Sequence, residues 1–295
     1  MIRLPTVILE GKKLPRTIFS IQPSPPQGDQ EIYLLMEKAY ELGAWCFDLP
    51  SLRHIESFRE LKKSIMDEMV IGLCHLEVEK GVSFLGKPLH QFESKVISTI
   101  RKGFLTSQMA RNILPPSSSS DVFTQREIDR ITFDAVRFDK SFSLLDPQAS
   151  PFLLIGEKYG ELLLALGRID LLHKMVSRAR QKGFIPIFSG QWTTFILPKA
   201  KSLDVAAYAI PINKKWGLFD LQQASALIKK FDKPVISLNP LADGRLLKES
   251  EGAFSFLFDE LKVYAVIAKI PSEEEAKRII EALQKFPSLI PYRKT

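Results

Sequence analysis

The chain has 295 residues, of which 45% are hydrophobic, with two cysteines and a formal net charge of +7. That is enough apolar material for two average domains or for one α/β barrel of roughly 250 residues, without disulfide or metal staples. Cys46 and Cys74 both lie inside apolar runs, which excludes a disulfide framework or zinc-ligand spacing and fits a reducing compartment.

The N-terminus MIRLPTVILEGKKL has neither the apolar region nor the cleavage site of a signal peptide. No run approaches the ~20 apolar residues of a membrane span. The basic pairs at 12–13, 62–63, 214–215 and 229–230 are scattered, and no nucleic-acid-binding signature accompanies them. The expectation is a cytoplasmic protein with neither nucleic acid nor membrane as partner, whose diffuse positive field attracts a small anionic molecule.

In chain order, apolar β-rich runs alternate with helical patterns, the mark of a parallel α/β fold. Strands are expected near TIFSIQ (17–22), AWCFDL (44–49), VIGLCHLE (70–77), PFLLIGE (151–157), FIPIFSG (184–190), VAAYAIPIN (205–213), PVISLNPL (234–241) and VYAVIAKI (263–270). Helices are expected over 31–42, 169–182, 220–231 and 272–286, with Asp220 and Ser272 as N-terminal caps and Gly43 and Gly183 as C-terminal ones.

The connection between the third and fourth strands is abnormally long, and such loops carry function or structure of their own. Over residues 78–150 the sequence suggests a helical excursion, expected to cap the barrel mouth. It comprises a helix at 92–102, a turn at LPPSSSS (114–120), and a second helix on Ile128, Ile131, Ala135, Phe138, Phe142 and Leu145.

In a barrel the active site is built at the C-terminal strand ends. Here every expected strand leaves the core on a polar group: Gln22, Asp48, His75 with Glu77, Glu157, Ser189 followed by Gln191, Asn213, Asn239 and Lys269. The alternative for single positions is a structural one. Asp48 could cap the helix near Leu52, and Asn213 or Asn239 could be turn residues.

Several segments together resemble the aldo-keto reductase superfamily. VILEGKKLPRTIFS is similar to the hairpin that plugs the base of those barrels, and ELGAWCFDLP resembles their helix–Gly–strand ending in a catalytic Asp. PVISLNPLADGRL resembles their seventh strand and its turn, and VYAVIAKIPSEEEAKRIIEAL their eighth strand and following helix. The resemblance implies a single (β/α)8 TIM barrel over 1–295 with an N-terminal β-hairpin and a helical insertion between strands 3 and 4.

It also implies hydride transfer from NADPH to a carbonyl, with Tyr as proton donor, a Lys and an Asp tuning it, and a His orienting the substrate. Asp48 matches the Asp. Arg53 stands in place of the Tyr, His75 and Glu77 in place of the Lys, and Gly156 and Glu157 in place of the His, so the tetrad is read as incomplete. If NADP binds, the resemblance assigns it Leu241, Gly244, Lys269, Ser272 and Arg278, although Glu273, Glu274 and Glu275 oppose a phosphate there. Lys158 and Tyr159 are alternative polar groups past the fourth strand.

The same residues admit other functions. Asp48, His75, Glu77 and Glu157 are suitable donors for a divalent metal, with His75 and Glu77 on one face of a strand. Without metal, paired carboxylates suit general acid–base work. Arg53, Gln191, Trp192, Asn213, Lys214 and Trp216, with Gln22, Asn239 and Lys269, are candidate substrate contacts. A non-catalytic ligand-binding barrel is the remaining reading. A mouth filled by the excursion favours it; an open polar mouth favours an enzyme.

Overall fold

The hairpin consists of strands β1 (Thr6–Leu9) and β2 (Lys12–Pro15), paired antiparallel. They are joined through Glu10 and Gly11, both with positive φ (46° and 79°), as a two-residue hairpin loop requires. This computed structural model describes residues 4–23, 28–103, 121–215 and 220–286.

Barrel strands β3 (Thr17–Ile21), β4 (Cys46–Leu49) and β5 (Ile71–Leu76) follow. The excursion then adds β6 (Val82–Phe84), β7 (Lys87–Pro88) and β8 (Ile131–Phe133). The barrel resumes with β9 (Phe152–Gly156), β10 (Ile185–Ser189), β11 (Ala207–Pro211), β12 (Val235–Leu238) and β13 (Ala265–Ile270). The eight barrel strands close in chain order, all parallel, with β13 beside β3. Each expected strand corresponds to one of them.

Helices α1 (Asp29–Glu41) and α2 (Leu52–Ile65) follow β3 and β4, and the excursion holds α3 (Glu93–Gly103), α4 (Gln125–Asp129) and α5 (Ala135–Lys140). After β9 come α6 (Glu157–Ala165) and α7 (Ile169–Gln181), after β10 α8 (Thr193–Lys199), and after β11 α9 (Leu221–Lys230). Helices α10 (Ser250–Ser255) and α11 (Glu273–Leu283) follow β12 and β13. Asp220 and Ser272 are the N-caps of α9 and α11, accepting from the N–H groups of Gln223 and Glu275.

Two apolar layers follow from the period-2 pleat of strands buried on both faces. Ile18, Cys46, Leu73, Phe152, Leu154, Ile187, Ala207, Ala209, Ile236, Ala265 and Ile267 fill the barrel interior together with Val7, Leu9 and Leu14 of the hairpin. The hairpin therefore plugs the N-terminal end. Two residues further along five of these strands, on the same inward face, stand Ser20, Asp48, His75, Ser189 and Lys269. The top layer of the barrel is thus polar where the layers below are apolar.

The excursion departs from expectation in its second half. A continuous helix across 128–145 does not form, because Thr124 caps α4 with a full capping box, Ile131–Phe133 then pairs with β6, and Asp134 caps a new helix, α5. The spacing reported burial in part: Ile128, Ile131, Phe138 and Phe142 are each 7% exposed or less, whereas Leu145 is half-buried and Ala135 exposed. Cross-strand pairing to β6, invisible to a helical period, broke the helix. The turn expected at 114–120 lies outside the described residues.

Arg178 pairs with Asp139, Arg168 Nη1 donates to the carbonyls of Ile128 and Ile131, and Lys158 and Tyr159 donate to Glu93. These contacts lay the described parts of the excursion along α6 and α7. Among the described residues, none from 78–150 lines the cavity at the C-terminal strand ends.

Candidate active site

Parallel neighbours β4, β5 and β9 bring Asp48, His75 and Glu157 together. His75 Nε2 lies 2.6 Å from Asp48 Oδ1, and His75 Nδ1 lies 2.6 Å from Glu157 Oε1. A carboxylate on each ring nitrogen favours the imidazolium, the form in which both nitrogens donate. Burial works against that charge, but attraction and hydrogen bonding from Asp48 and then Glu157 outweigh it and push the His75 pKa up to about 10.

The two carboxylates are unequal. The Asp48 side chain is 6% exposed and that of Glu157 54%. Asp48 is therefore not the cap of α2. That position belongs to Ser51, whose hydroxyl meets His54 Nδ1 at 2.8 Å.

Glu157 reaches His75 because the chain passes from strand to helix without a loop. Gly156 adopts φ 130°, ψ −89°, and Glu157 itself φ 44°, both in the positive-φ region that non-glycine residues avoid. Such strain persists only where the surroundings hold it, and here it throws the first side chain of α6 inward.

A cavity of about 380 Å³ opens on this trio and is also lined by Ser20, Gln22, Ser189, Gln191, Pro211, Leu238, Asn239, Asp243 and Lys269. Lys269 Nζ is 2.8 Å from Asp243 Oδ1, and this pairing leads in holding the Asp243 carboxyl below its usual range. Asn239, at φ 53°, accepts the Asp243 N–H on its side chain and the Asn213 amide on its carbonyl.

Other expected site residues fall elsewhere. Glu77 does not join His75: β5 ends at Leu76, and Glu77 turns outward to pair with Lys80. Asn213 is fully buried and holds the exit of β12. Lys214 is exposed and outside the cavity lining, Trp192 packs edge-on against Phe195, and Trp216 lies outside the described residues. Arg53, Leu241 and Gly244 line an adjoining lobe of about 710 Å³ that shares Gln22, Asn239, Asp243 and Lys269 with the first. Ser272 lines neither lobe, and Arg278 faces a separate groove, paired with Glu274.

Ser20 and Glu161 escaped a reading of strand ends. Ser20 follows from the alternation that places Asp48. Glu161 is the single acid in the apolar run ELLLA, one turn beyond Glu157. It is 2% exposed, and its Oε1 accepts the N–H groups of Gln191 and Trp192 at 2.6 Å each, fixing the loop after β10. Burial pushes its pKa up to about 8 against the pull of those two N–H groups.

Raised native pKa values contribute stability that is complete below the unfolded value and lost as pH rises through the native one. For Glu161 the window runs from about 4.3 unfolded to about 8, and for His75 from 6.5 to about 10. Stability should therefore fall from pH 6 to pH 10. Glu161→Gln keeps an acceptor oxygen for both N–H groups and removes one ionisation. It should recover on the order of 3 kcal/mol of the loss at pH 9 relative to pH 6, read from urea midpoints.

The described residues offer no matching donor set for a metal. Among the described residues no group of three His, Cys, Asp or Glu is arranged to hold a metal ion. Both nitrogens of His75 are already engaged. The 710 Å³ lobe has room for part of a dinucleotide, but its wall carries Asp243 and Glu275, Lys269 is tied to Asp243, and Arg278 is outside it. Arg53 lines the same lobe, so its wall carries both signs of charge.

The arrangement of the barrel is that of the aldo-keto reductases. The chain is similar to an aldo-keto reductase of Bacillus halodurans in its holo form, at 14% identity and TM-score 0.59, over 97% of this chain and 93% of that one. It is likewise similar to an aldo/keto reductase of Brucella melitensis, at 12% identity and TM-score 0.56, over 96% and 94% of the two chains. A thermostable aldo-keto reductase in complex with the inhibitor epalrestat gives 12% identity and TM-score 0.56, over 96% and 95%. At these identities the similarity establishes the fold. No family model and no curated protein matches the sequence.

Proposed function

We propose that the barrel mouth is an acid–base site for a small anionic or carbonyl-containing molecule, in which His75 donates to a substrate oxygen and Asp48 keeps the imidazole protonated. The observation that carries this reading is a histidine held between a buried carboxylate and an exposed one, facing an open cavity.

With Glu157 turned aside, His75 Nδ1–H donates to the carbonyl oxygen while the freed Glu157 carboxylate, on the same cavity wall, takes the proton from the carbon next to the carbonyl, leaving the enol. When the proton is transferred, the neutral ring keeps its Nε2–H on Asp48, so the base that remains stays oriented. Gln22, Gln191, Asn239 and Lys269 are placed to orient the rest of the molecule. No tyrosine lines either lobe among the described residues, and Arg53 faces the other lobe, which supports reading the reductase tetrad as replaced. The mouth is not filled by described residues of the excursion, which favours an enzyme over a non-catalytic barrel. No helix of the described residues is long and apolar enough to cross a membrane. A cytoplasmic location rests on the two unpaired, buried cysteines.

The adjoining lobe favours a second reading, a carbonyl reductase using a nicotinamide dinucleotide. Two measurements separate the readings. Incubation of small carbonyl acids in D2O, followed by proton NMR, should show exchange next to the carbonyl that His75→Gln abolishes. Fluorescence titration should show no tight NADPH complex. Tight NADPH binding with no exchange would replace the acid–base reading by the reductase one.

A further inference from the structure

We propose that the Glu157 carboxylate is a resident occupant of the substrate seat on His75, and that the group which replaces it is the carboxylate of a small carboxylic acid. This rests on His75 being the group that faces the substrate.

The asymmetry of the trio points to which partner exchanges. Asp48 is enclosed by the barrel, whereas more than half of the Glu157 side chain is already in water. Returning Glu157 to solvent exposes little that is not hydrated, and the hydrogen bond it leaves lies within the cavity that Gln22, Gln191, Asn239 and Lys269 also line. The backbone offers no reason of its own for Glu157 to be there: a left-handed non-glycine residue after a glycine at φ 130° is strained, and its side chain is aimed at a single nitrogen.

Charge selects the replacement. A carboxylate exchanges for a carboxylate with the imidazolium still balanced on both sides, and with a charge-assisted bond on each. A neutral carbonyl would replace a bond about twice as strong as its own. A phosphate dianion would add charge beside Asp48 and Asp243. A monoanionic carboxylate small enough for a cavity of about 380 Å³ remains. Its second oxygen then has the amides of Gln22, Gln191 and Asn239 within the same lining.

The test uses acetate as probe and acetamide as its neutral counterpart, followed through the ring nitrogens of His75 by ¹⁵N NMR. Glu157→Gly removes the occupant and suits the left-handed backbone. It should bind acetate at least 10-fold more tightly than the wild type does, and at least 10-fold more tightly than it binds acetamide. Glu157→Gln leaves a neutral and weaker occupant in the seat, so it should gain less than Glu157→Gly. No gain in Glu157→Gly, acetamide bound by Glu157→Gly as tightly as acetate, or a gain in Glu157→Gln as large as that in Glu157→Gly each overturns the proposal. Should Glu157→Gly fail to give a cooperative melt, wild-type protein at high acetate decides. The perturbation should appear at Nδ1 and not at Nε2, and the reverse overturns the proposal. The parent reading fails separately: a neutral His75 ring at pH 7 in the wild type removes the acid–base site, whereas a protonated ring without acetate exchange removes only the resident-carboxylate assignment.

Discussion

Asp48→Asn is expected to lower activity per folded molecule by roughly 10²- to 10⁴-fold, the span a positioned acid–base group contributes. Asp48 acts through His75. Its charge is the leading influence that overcomes the burial of the imidazole, so an amide in its place leaves burial to dominate and the His75 pKa should drop from about 10 to neutrality or below. The ring is then largely neutral at pH 7, and a neutral imidazole is a much weaker proton donor than the imidazolium. Removing one partner of a buried pair also destabilises the fold, by about 3 kcal/mol or less because the histidine can shed its charge. Titration of His75 by NMR and turnover corrected for folded fraction check both parts. An unchanged His75 pKa, or full activity in the folded fraction, contradicts this role.

Gly156→Ala should be the most destabilising single methyl addition at the mouth. A Cβ at Gly156 would stand 2.3 Å from the backbone carbonyl of Ser189 on neighbouring β10, and φ 130° is nearly closed to alanine. Neither a carbonyl in a barrel strand nor the junction to α6 can move freely. The cost is expected at about 3 kcal/mol or more, in the range reserved for named steric causes. Chemical denaturation measures it. A loss under about 1 kcal/mol would show that the strand exit relaxes, and with it the argument that Gly156 and Glu157 are held under strain.

Much of the barrel was legible in the sequence because parallel strands covered on both faces must be apolar over their whole length. TIFSI, CFDL and FLLIG carry that signature locally. The hairpin and the caps at Asp220 and Ser272 were legible for the same reason, since each depends on residues within a few positions. Of the candidate site, Asp48, His75 and Glu157 could be named from the polar ends of their strands. Their contact could not, because it depends on how β4, β5 and β9 lie side by side across some seventy intervening residues.

Where local pattern and tertiary pairing competed, pairing won. The 3–4 spacing from Ile128 to Phe142 described burial correctly except at Ala135, and conformation wrongly, because β6 offered Ile131–Phe133 a ladder. Glu77 looked like a partner of His75 until β5 ended one residue earlier than its apolar run. Glu161 was an acid in a leucine run, with no sign that two N–H groups of the loop after β10 would meet it.

The sequence by itself determined the eight strands, their parallel order and the polar character of their exits, since side-chain polarity and a two-residue period act within a single segment. Only the tertiary structure decided that His75 stands protonated between two carboxylates, one enclosed and one in water. Protonation and exposure are set by neighbours that chain closure brings together, and no local spacing encodes them.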